Sequence, residues 1–451
     1  MTTLGVAILA AGQGTRMKSD LNKVVHAVCG KPMVLWSVEQ AEALGANPVV
    51  LVVGNDADAV RETVGARAQY AVQAERLGTG HALLQARDLL QGQADTVLAL
   101  YGDMPTLRPE TVARLLALHQ QRSPAVTMLT VGSEDSMGFG RVARDPQGRV
   151  RAIVEEAAAT PEILALTELN CGVYCFDADW LWERLPQVSP TLPKNEYYLT
   201  DMVAMAIEDG LGVETVSVED VSEVLGINTR IHLAQAEAVL RQRINESLML
   251  EGVTLLEPAA TYIDATVRIG HDTVIYPNTM LQGDTSIGQG ATIGPNSIIR
   301  DSRIGDRCRV LASVVEEAIM EEDADIGPFG HLRPKAHLGA GVHMGNFGEV
   351  KDAYLAPGTK MGHFSYVGNA RIGEDANIGA GTITCNYDGH NKYTTVIGAG
   401  AFIGSGAMLV APVSIGTGAI IGAGAVVTRD VPDHAISYGV PARPKEQSDD
   451  A

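Results

Sequence analysis

Cysteine is scarce in this 451-residue chain: Cys29, Cys171, Cys175, Cys308 and Cys385 are odd in number and contain no C-x-x-C pair. That excludes a disulfide framework and leaves no zinc-ligand spacing. Positive charge is outnumbered, with 34 Lys and Arg against 54 Asp and Glu, a formal charge of −20. Such a surface argues against nucleic acid and anionic membranes as partners. It still admits anionic small substrates, because a few cations can dominate inside a cleft. Long apolar runs are also missing. The run Val6-Ala7-Ile8-Leu9-Ala10-Ala11 has no charged lead and is too short for a signal peptide or a membrane span. It reads as a buried first strand, and the chain as cytoplasmic. No G-K-[ST] phosphate loop is present, and the first glycine loop has Met17 where a dinucleotide fingerprint needs its third glycine.

A chain of this length exceeds one ordinary core, and its 46% hydrophobic content can fill two. From Ile263 an aliphatic residue recurs every six positions, through Ile269, Ile275, Leu281, Ile287, Ile293 and Ile299. After a one-residue slip it resumes at Ile304 and Val310, then again from Ile326, and it continues to Val427. Gly often follows the aliphatic residue, as in Ile269-Gly270, Ile287-Gly288, Ile304-Gly305, Ile378-Gly379 and Ile421-Gly422. A period of six suits neither a helix nor an amphipathic strand. It suits a parallel β-helix with three flat sides, each aliphatic residue pointing inward and each small residue easing a corner whose backbone geometry a Cβ would resist. Ile263 to Arg429 would make roughly nine coils. The break at Thr384–Val396 reads as a loop thrown out from the prism, a usual place for function on a rigid scaffold.

The front of the chain alternates strand-like and helix-like stretches, which predicts a mostly parallel sheet with helices on both faces. A hairpin is expected between Arg141 and Glu155, and a long helix from about Thr229 to Leu250. The expected division is therefore 1–228, a linker helix at 229–251, and a β-helix at 252–451.

Two places in the front half could carry chemistry. The loop Leu9-Ala10-Ala11-Gly12-Gln13-Gly14-Thr15-Arg16-Met17 follows the first strand. It is either a glycine turn with surface cations, or a phosphate site built from backbone N–H groups, a helix N-terminus, Arg16 and Lys23. Asp103, in Tyr101-Gly102-Asp103, follows the buried run 96–100. Open α/β sheets bind ligands at such a strand end, where one carboxylate can hold Mg²⁺; a simple turn aspartate is the plainer alternative.

Further motifs are Leu21-x-Lys23-Val24, Gln73-x-Glu75-x-Leu77-Gly78-Thr79-Gly80-His81-Ala82, Gly138-x-Gly140-Arg141, Ile153-Val154-Glu155, Asn170-x-Gly172, Glu196-Tyr197-Tyr198-Leu199-Thr200-Asp201 and Gly226-x-Asn228. Together with the β-helix they cover nearly the whole chain. In them the chain resembles the bifunctional N-acetylglucosamine-1-phosphate uridylyltransferase/glucosamine-1-phosphate acetyltransferase family. The resemblance implies a Rossmann-like α/β nucleotidylyltransferase domain joined by the helix to a left-handed β-helix. It implies acetylation of glucosamine-1-phosphate by acetyl-CoA, then UMP transfer from UTP with Mg²⁺, giving the UDP-N-acetylglucosamine of peptidoglycan and lipopolysaccharide synthesis. It implies small-molecule substrates. The flat outer sides of the prism and the Thr384–Val396 loop, which has nothing obvious to pack against in its own prism, predict three copies side by side, a homotrimer. Leu9, Ala10, Ala11, Gly12, Gln73, Gly78 and Thr79 would read the uridine, with Tyr101 and Gly102 in the same site. Arg16 and Lys23 would hold the triphosphate, Asp103 and Asn228 the Mg²⁺, and Gly140, Glu155, Asn170 and Thr200 the sugar.

In the β-helix, Arg333 and Lys351 are cations suited to a sugar phosphate, though long cations often only coat a prism face. His363 can take a proton near neutral pH, though a lone histidine is usually a surface residue. The resemblance makes His363 the base, with Glu349 orienting it. It gives Arg333, Lys351, Tyr366 and Asn377 to the sugar phosphate, and Ala380, Asn386, Tyr387, Ser405 and Ala423 to acetyl-CoA. His331, His337 and His343 are not read as a metal site, because their spacing sends them to three sides of one coil. There are two departures from the family. Glu156-Ala157-Ala158-Ala159 stands where a Lys-Asp pair is usual, and Tyr438 stands where an Arg usually touches CoA phosphate; Arg443 or Lys445 are the candidate substitutes. The rival readings are a single-activity sugar-phosphate nucleotidylyltransferase with a structural or regulatory β-helix, and a non-catalytic sensor.

Overall fold

A computed structural model describes residues 3–156, 159–191 and 195–445. Ala157 and Ala158 of the first departure lie outside the described residues. The chain divides into two compact units, Met1–Leu240 and Arg241–Ala451. The first holds the strands β1 (Leu4–Leu9), β2 (Val49–Val53), β3 (Gln69–Val72), β4 (Thr96–Tyr101), β5 (Val126–Gly132), β6 (Arg141–Arg144), β7 (Val150–Val154), β8 (Glu168–Asp177) and β9 (Val213–Val218). They pair in the order β9-β5-β8-β4-β1-β2-β3, with the β6–β7 hairpin attached to β8. β1 runs parallel to both β2 and β4, while β8 is antiparallel to both neighbours.

Both faces of this sheet are covered, so its strands read as continuous apolar runs rather than alternating ones. Val6, Ile8, Leu51 and Val53 pack with Val34 and Val38 of α1 (Met33–Ala43). On the other face Ala7, Leu9, Val50 and Val52 pack with Leu83 of α2 (Thr79–Gln85). From β1 the chain goes to β2 on one side and later to β4 on the other. The carboxyl ends of β1 and β4 therefore flank a topological switch point, where open α/β sheets leave a crevice for ligands. A helix runs over Arg230–Leu250. It crosses the division at Leu240, where the sequence placed the whole of it as a linker.

The second unit is a left-handed parallel β-helix. Three sheets of short parallel strands form its faces, and through most of the prism each strand pairs with the one three places further along the chain; the first face ends in the antiparallel hairpin of Ile436–Gly439 and Ala442–Lys445. Strands such as Asn377–Ile378, Ile383–Cys385 and Thr395–Ile397 illustrate the first, second and third faces in turn. One buried stack of Ile, Leu, Val, Met and Ala fills the prism.

Two sequence expectations need correction. The period did not vanish between Val310 and Ile326, because Val315 and Met320 point inward there. The sides ending at these residues are one residue short, and each is entered through a single left-handed residue, Ala312 (φ 42°) and Glu317 (φ 45°). The second correction concerns the glycines after the aliphatic residues. None of Gly270, Gly288, Gly305, Gly379 and Gly422 has a left-handed φ; what they provide is room for the next coil. A Cβ on Gly270 would sit 2.6 Å from Gln289 N, and one on Gly305 2.7 Å from Glu322 N. These contacts are with backbone, which cannot swing away. Gly305→Ala should therefore cost about 1–3 kcal/mol of overpacking, read as a lower melting temperature of the second unit with uridylyl transfer unchanged. A melting temperature equal to wild type would show that the coils can spread.

Candidate active sites

The carboxyl ends of β1 and β4 open into two adjoining cavities. The first, about 450 Å³, is lined by Leu9, Ala10, Ala11, Gly12, Arg16, Lys23, Gln73, Gly78, Thr79, Tyr101 and Asp103. Its size is that of a small-molecule site, roughly 300–1,000 Å³. The second, about 270 Å³, is lined by Gly140, Glu155, Asn170, Thr200 and Asn228 and shares Thr79, Tyr101, Asp103 and Tyr198 with the first. Every front-half site residue expected from the sequence lines one of them except Gly102, whose amide is spent on Leu9 O at 3.0 Å.

Local geometry explains the convergence. Gly78 has φ +105°, and a Cβ there would lie 2.5 Å from Tyr197 O. Glycine thus lets segment 197–199 close over the start of α2, where Gly80 N reaches Tyr197 O at 2.8 Å and Leu199 N reaches Thr79 Oγ1 at 3.0 Å. Buried Gln73 donates to Gly78 O at 3.0 Å. In the second cavity Thr200 donates to Glu155 at 3.0 Å, and Asn170 Nδ2 donates to the Tyr174 hydroxyl at 2.7 Å, beside the bulge between Asn170 and Tyr174. Burial pushes the Tyr101 hydroxyl well above its ordinary range, so it stays protonated. Ile227 N bonds Asp103 O at 2.9 Å, which brings Asn228 beside Asp103.

In the first cavity, against the shared Asp103, lies Lys23, buried, with its ammonium donating to the Asp103 carboxylate and, at 3.1 Å, to Asn228 Oδ1. The two side-chain oxygens expected to hold Mg²⁺ thus already converge on one positive charge. An all-oxygen pair suits a hard divalent cation that keeps waters and phosphates as its other ligands. Two features depart from expectation. Lys23 turns to Asp103 rather than standing free for phosphates. And the glycine loop leads only into the three-residue turn Thr15–Met17, so no helix dipole serves the phosphates there. The sequence reading also missed Arg76, which lines the first cavity and donates through Nε to Ala11 O at 2.8 Å. A cation inside the Gln73–Ala82 motif was the available signal. Glu196 and Tyr198 line the same cavity, and burial together with Glu196 pushes the Tyr198 hydroxyl up to about 12.

In the β-helix, Arg333, Glu349, Lys351 and Tyr366 gather on the second face. Glu349 pairs in register with Tyr366, and Leu332 with Val350, which puts Arg333 beside Lys351. Arg333 donates to Glu349 at 2.7 Å. Glu349 is therefore committed to Arg333, and no bond to His363 forms among the described residues. His363 is exposed at the corner between the first and second faces. That corner carries Asn346-Phe347, His363-Phe364, Ala380-Gly381, Ser405-Gly406 and Ala423-Gly424 on successive coils, tied by Gly381 N to Phe364 O, Gly406 N to Ala380 O and Gly424 N to Ser405 O. Phe329, Phe347 and Phe364 make it bulky on one side of His363, and glycines leave it bare on the other. Ala380, Ser405 and Ala423 lie along the bare stretch.

Asn377 lies on the first face, one side of this corner. Asn386 and Tyr387 lie beyond the far edge of the second face. There Asn386 is buried and donates to Asn369 Oδ1 at 2.6 Å, while Tyr387 is 60% exposed. A single chain therefore separates the loop from the bare corner by the full width of a face. Tyr438 stands against Gly422 at the end of the corner and pairs across a hairpin with Arg443; the side chain of Lys445 lies outside the described residues. His331, His337 and His343 fall on three different sheets, each bonded to a carboxylate of the preceding coil, Glu316, Glu321 and Asp325.

The front half matches the MobA-like NTP transferase domain over residues 6–170, and residues 266–301 and 394–429 match the bacterial transferase hexapeptide (six repeats). The bifunctional protein GlmU of Pelobacter propionicus is 48% identical over 96% of this chain and 95% of its own length. Those of Trichlorobacter lovleyi and Halalkalibacterium halodurans are 47% and 45% identical, each over 97% of this chain and 96% of their own length. The chain belongs to the bifunctional GlmU family. As a GlmU protein it is a bifunctional enzyme, a nucleotidyltransferase followed by a hexapeptide acyltransferase. The single-activity and non-catalytic alternatives are set aside by relatives that match both halves at once. No described helix is long and apolar enough to cross a membrane.

Proposed function

We propose that the β-helix acetylates glucosamine-1-phosphate with acetyl-CoA and that residues 1–228 carry the site joining N-acetylglucosamine-1-phosphate to UMP from UTP. The observation that carries the reading is the pair of cavities meeting at Asp103, one for a nucleotide and one for a sugar phosphate. Leu9 to Gly12, Gln73, Gly78 and Thr79 would grip the uridine, and Gly140, Glu155, Asn170 and Thr200 the sugar. The sugar phosphate would attack the α-phosphorus of UTP in line, releasing pyrophosphate, with Arg16 balancing charge on the triphosphate. Positioning and charge balance supply most of the catalysis in such transfers. Asp103 and Asn228 would hold Mg²⁺, which supplies neutralisation of phosphate charge. A cytoplasmic location is part of this reading. Incubation with glucosamine-1-phosphate, acetyl-CoA, UTP and Mg²⁺ tests the whole reading; absence of UDP-N-acetylglucosamine would overturn it.

For acetyl transfer, the bare corner supports a thin acyl carrier lying along Ala380, Ser405 and Ala423 with its reactive end stopped near His363 and Phe364. Arg443 beside Tyr438 is the cation at the far end for a CoA phosphate. Asn386 and Tyr387 would then meet acetyl-CoA only on a neighbouring copy, which favours a closed trimer with shared sites. Fragment cuts should follow the units rather than the sequence expectation of 229 and 252. Glu237 accepts from Cys29 N at 2.6 Å and Leu240 is buried, while Asn245 Nδ2 donates to Pro258 O at 2.9 Å. We expect 1–240 to be a monomer that transfers uridylyl groups better than 1–229, and 241–451 to be a trimer that acetylates, by light scattering and separate assays. A monomeric 241–451 with full acetyltransferase activity would refute the shared site.

A further inference from the structure

We propose that Lys23 is a charge placeholder: its ammonium holds the cation position between Asp103 and Asn228 until a nucleotide triphosphate draws it away, so that divalent cation binding waits for nucleotide. The inference rests on the reading that Asp103 and Asn228 hold the cation.

Lys23 sits in the short turn Lys23–Val25, fixed by Asn22, whose side chain accepts from Val24 N. Its stem passes against Gly14, where a Cβ would lie 2.5 Å from Lys23 Cβ. Glycine there lets a long side chain run inward, and the residue ends 7% exposed. A half-buried carboxylate needs a positive partner, and an ammonium in that place meets the need without a metal. The ammonium and a divalent cation cannot share the same two oxygens, because like charges at that range repel strongly in a partly desolvated site. The metal must therefore displace Lys23, and displacement is favourable only where another anion receives the ammonium. Lys23 also lines the nucleotide cavity beside Gly12 and Arg16, where the phosphates of a triphosphate would lie. The arrangement makes cation and nucleotide affinities reciprocal: each binds tighter once the other is present. It also keeps the carboxylate neutralised and in place when no substrate is bound.

The test is Mn²⁺ binding to the full-length protein by electron paramagnetic resonance, with Mn²⁺ alone as the probe. Without nucleotide, Lys23→Met and Lys23→Gln are each expected to bind Mn²⁺ at least ~10-fold tighter than wild type, within the usual span of coupling between sites. Adding a non-hydrolysable UTP analogue is expected to raise affinity by a larger factor in wild type than in either variant. Equal nucleotide-free affinities in wild type and a folded variant would overturn the placeholder. Adding Asp103→Asn to Lys23→Met separates the two ideas. Loss of the gained affinity supports both, and its persistence would show that the cation sits elsewhere, overturning the assignment beneath. A variant-free check uses anomalous diffraction from wild-type crystals soaked in Mn²⁺. A manganese peak between Asp103 and Asn228 only with the analogue supports the proposal, and an equal peak without it overturns it.

Discussion

Asp103→Ala is expected to slow uridylyl transfer by roughly 10³-fold, the upper end of the scale for removing one electrostatic stabilising group at a reacting centre, while acetyl transfer persists. The size follows from position. Asp103 is the first acid after β4, at the switch point of the sheet, and lines both cavities. Its carboxylate is the only charged group in the pair expected to hold the cation; Asn228 adds a neutral oxygen. Removing it also leaves the buried Lys23 ammonium with Asn228 alone, and stranding one partner of a buried pair is costly. The first unit could lose stability along with activity, so Asp103→Asn is the needed companion: it keeps shape and a hydrogen-bond acceptor for Lys23. Both variants should release pyrophosphate far below the wild-type rate, with Asp103→Asn melting close to wild type. Near-normal release by either would sink the assignment. Continued acetylation shows that the second unit is intact, so the loss can be located in the first.

The parts of this protein legible from sequence are those in which one residue answers to one geometric demand. An inward position every six residues is such a demand, and Ile263 through Val427 displayed it. The five-residue sides at Val315 and Met320 stayed hidden, because a shortened side shifts the phase while keeping the same kind of residue inside. Gly305 and its equivalents were found but explained wrongly, since sequence does not separate a glycine needed for its φ from one needed for the backbone of the next coil. The residues that line the two front-half cavities were readable as motifs. Which atoms face which was not: Lys23 carried a charge suited to phosphate, and only the fold showed that charge resting on Asp103. Arg76 was passed over as a variable position, and its hold on the Ala11 carbonyl comes from tertiary contact alone.

His363→Ala is expected to lower acetyl transfer by at least ~10²-fold, the usual scale for a positioned general base, and to leave uridylyl transfer unchanged. His363 stands where the corner of the prism changes from aromatic to bare, so a carrier lying along Ala380, Ser405 and Ala423 would bring its reactive end to this imidazole. The amine of the sugar must lose a proton as it attacks the thioester carbonyl, and His363 is the group we propose to accept it at that end. The roles of Glu349 and His363 can be told apart. Glu349 is occupied by Arg333 at 2.7 Å, within the group expected to take the sugar phosphate. Glu349→Gln should then act chiefly on the KM for glucosamine-1-phosphate, by loosening Arg333, and leave kcat within a few-fold. Were Glu349 instead the group that orients the base, its kcat would fall with that of His363→Ala. An exposed histidine contributes little to the fold, so His363→Ala should melt like wild type. An unchanged acetylation rate in that folded variant would mean that solvent or another group takes the proton.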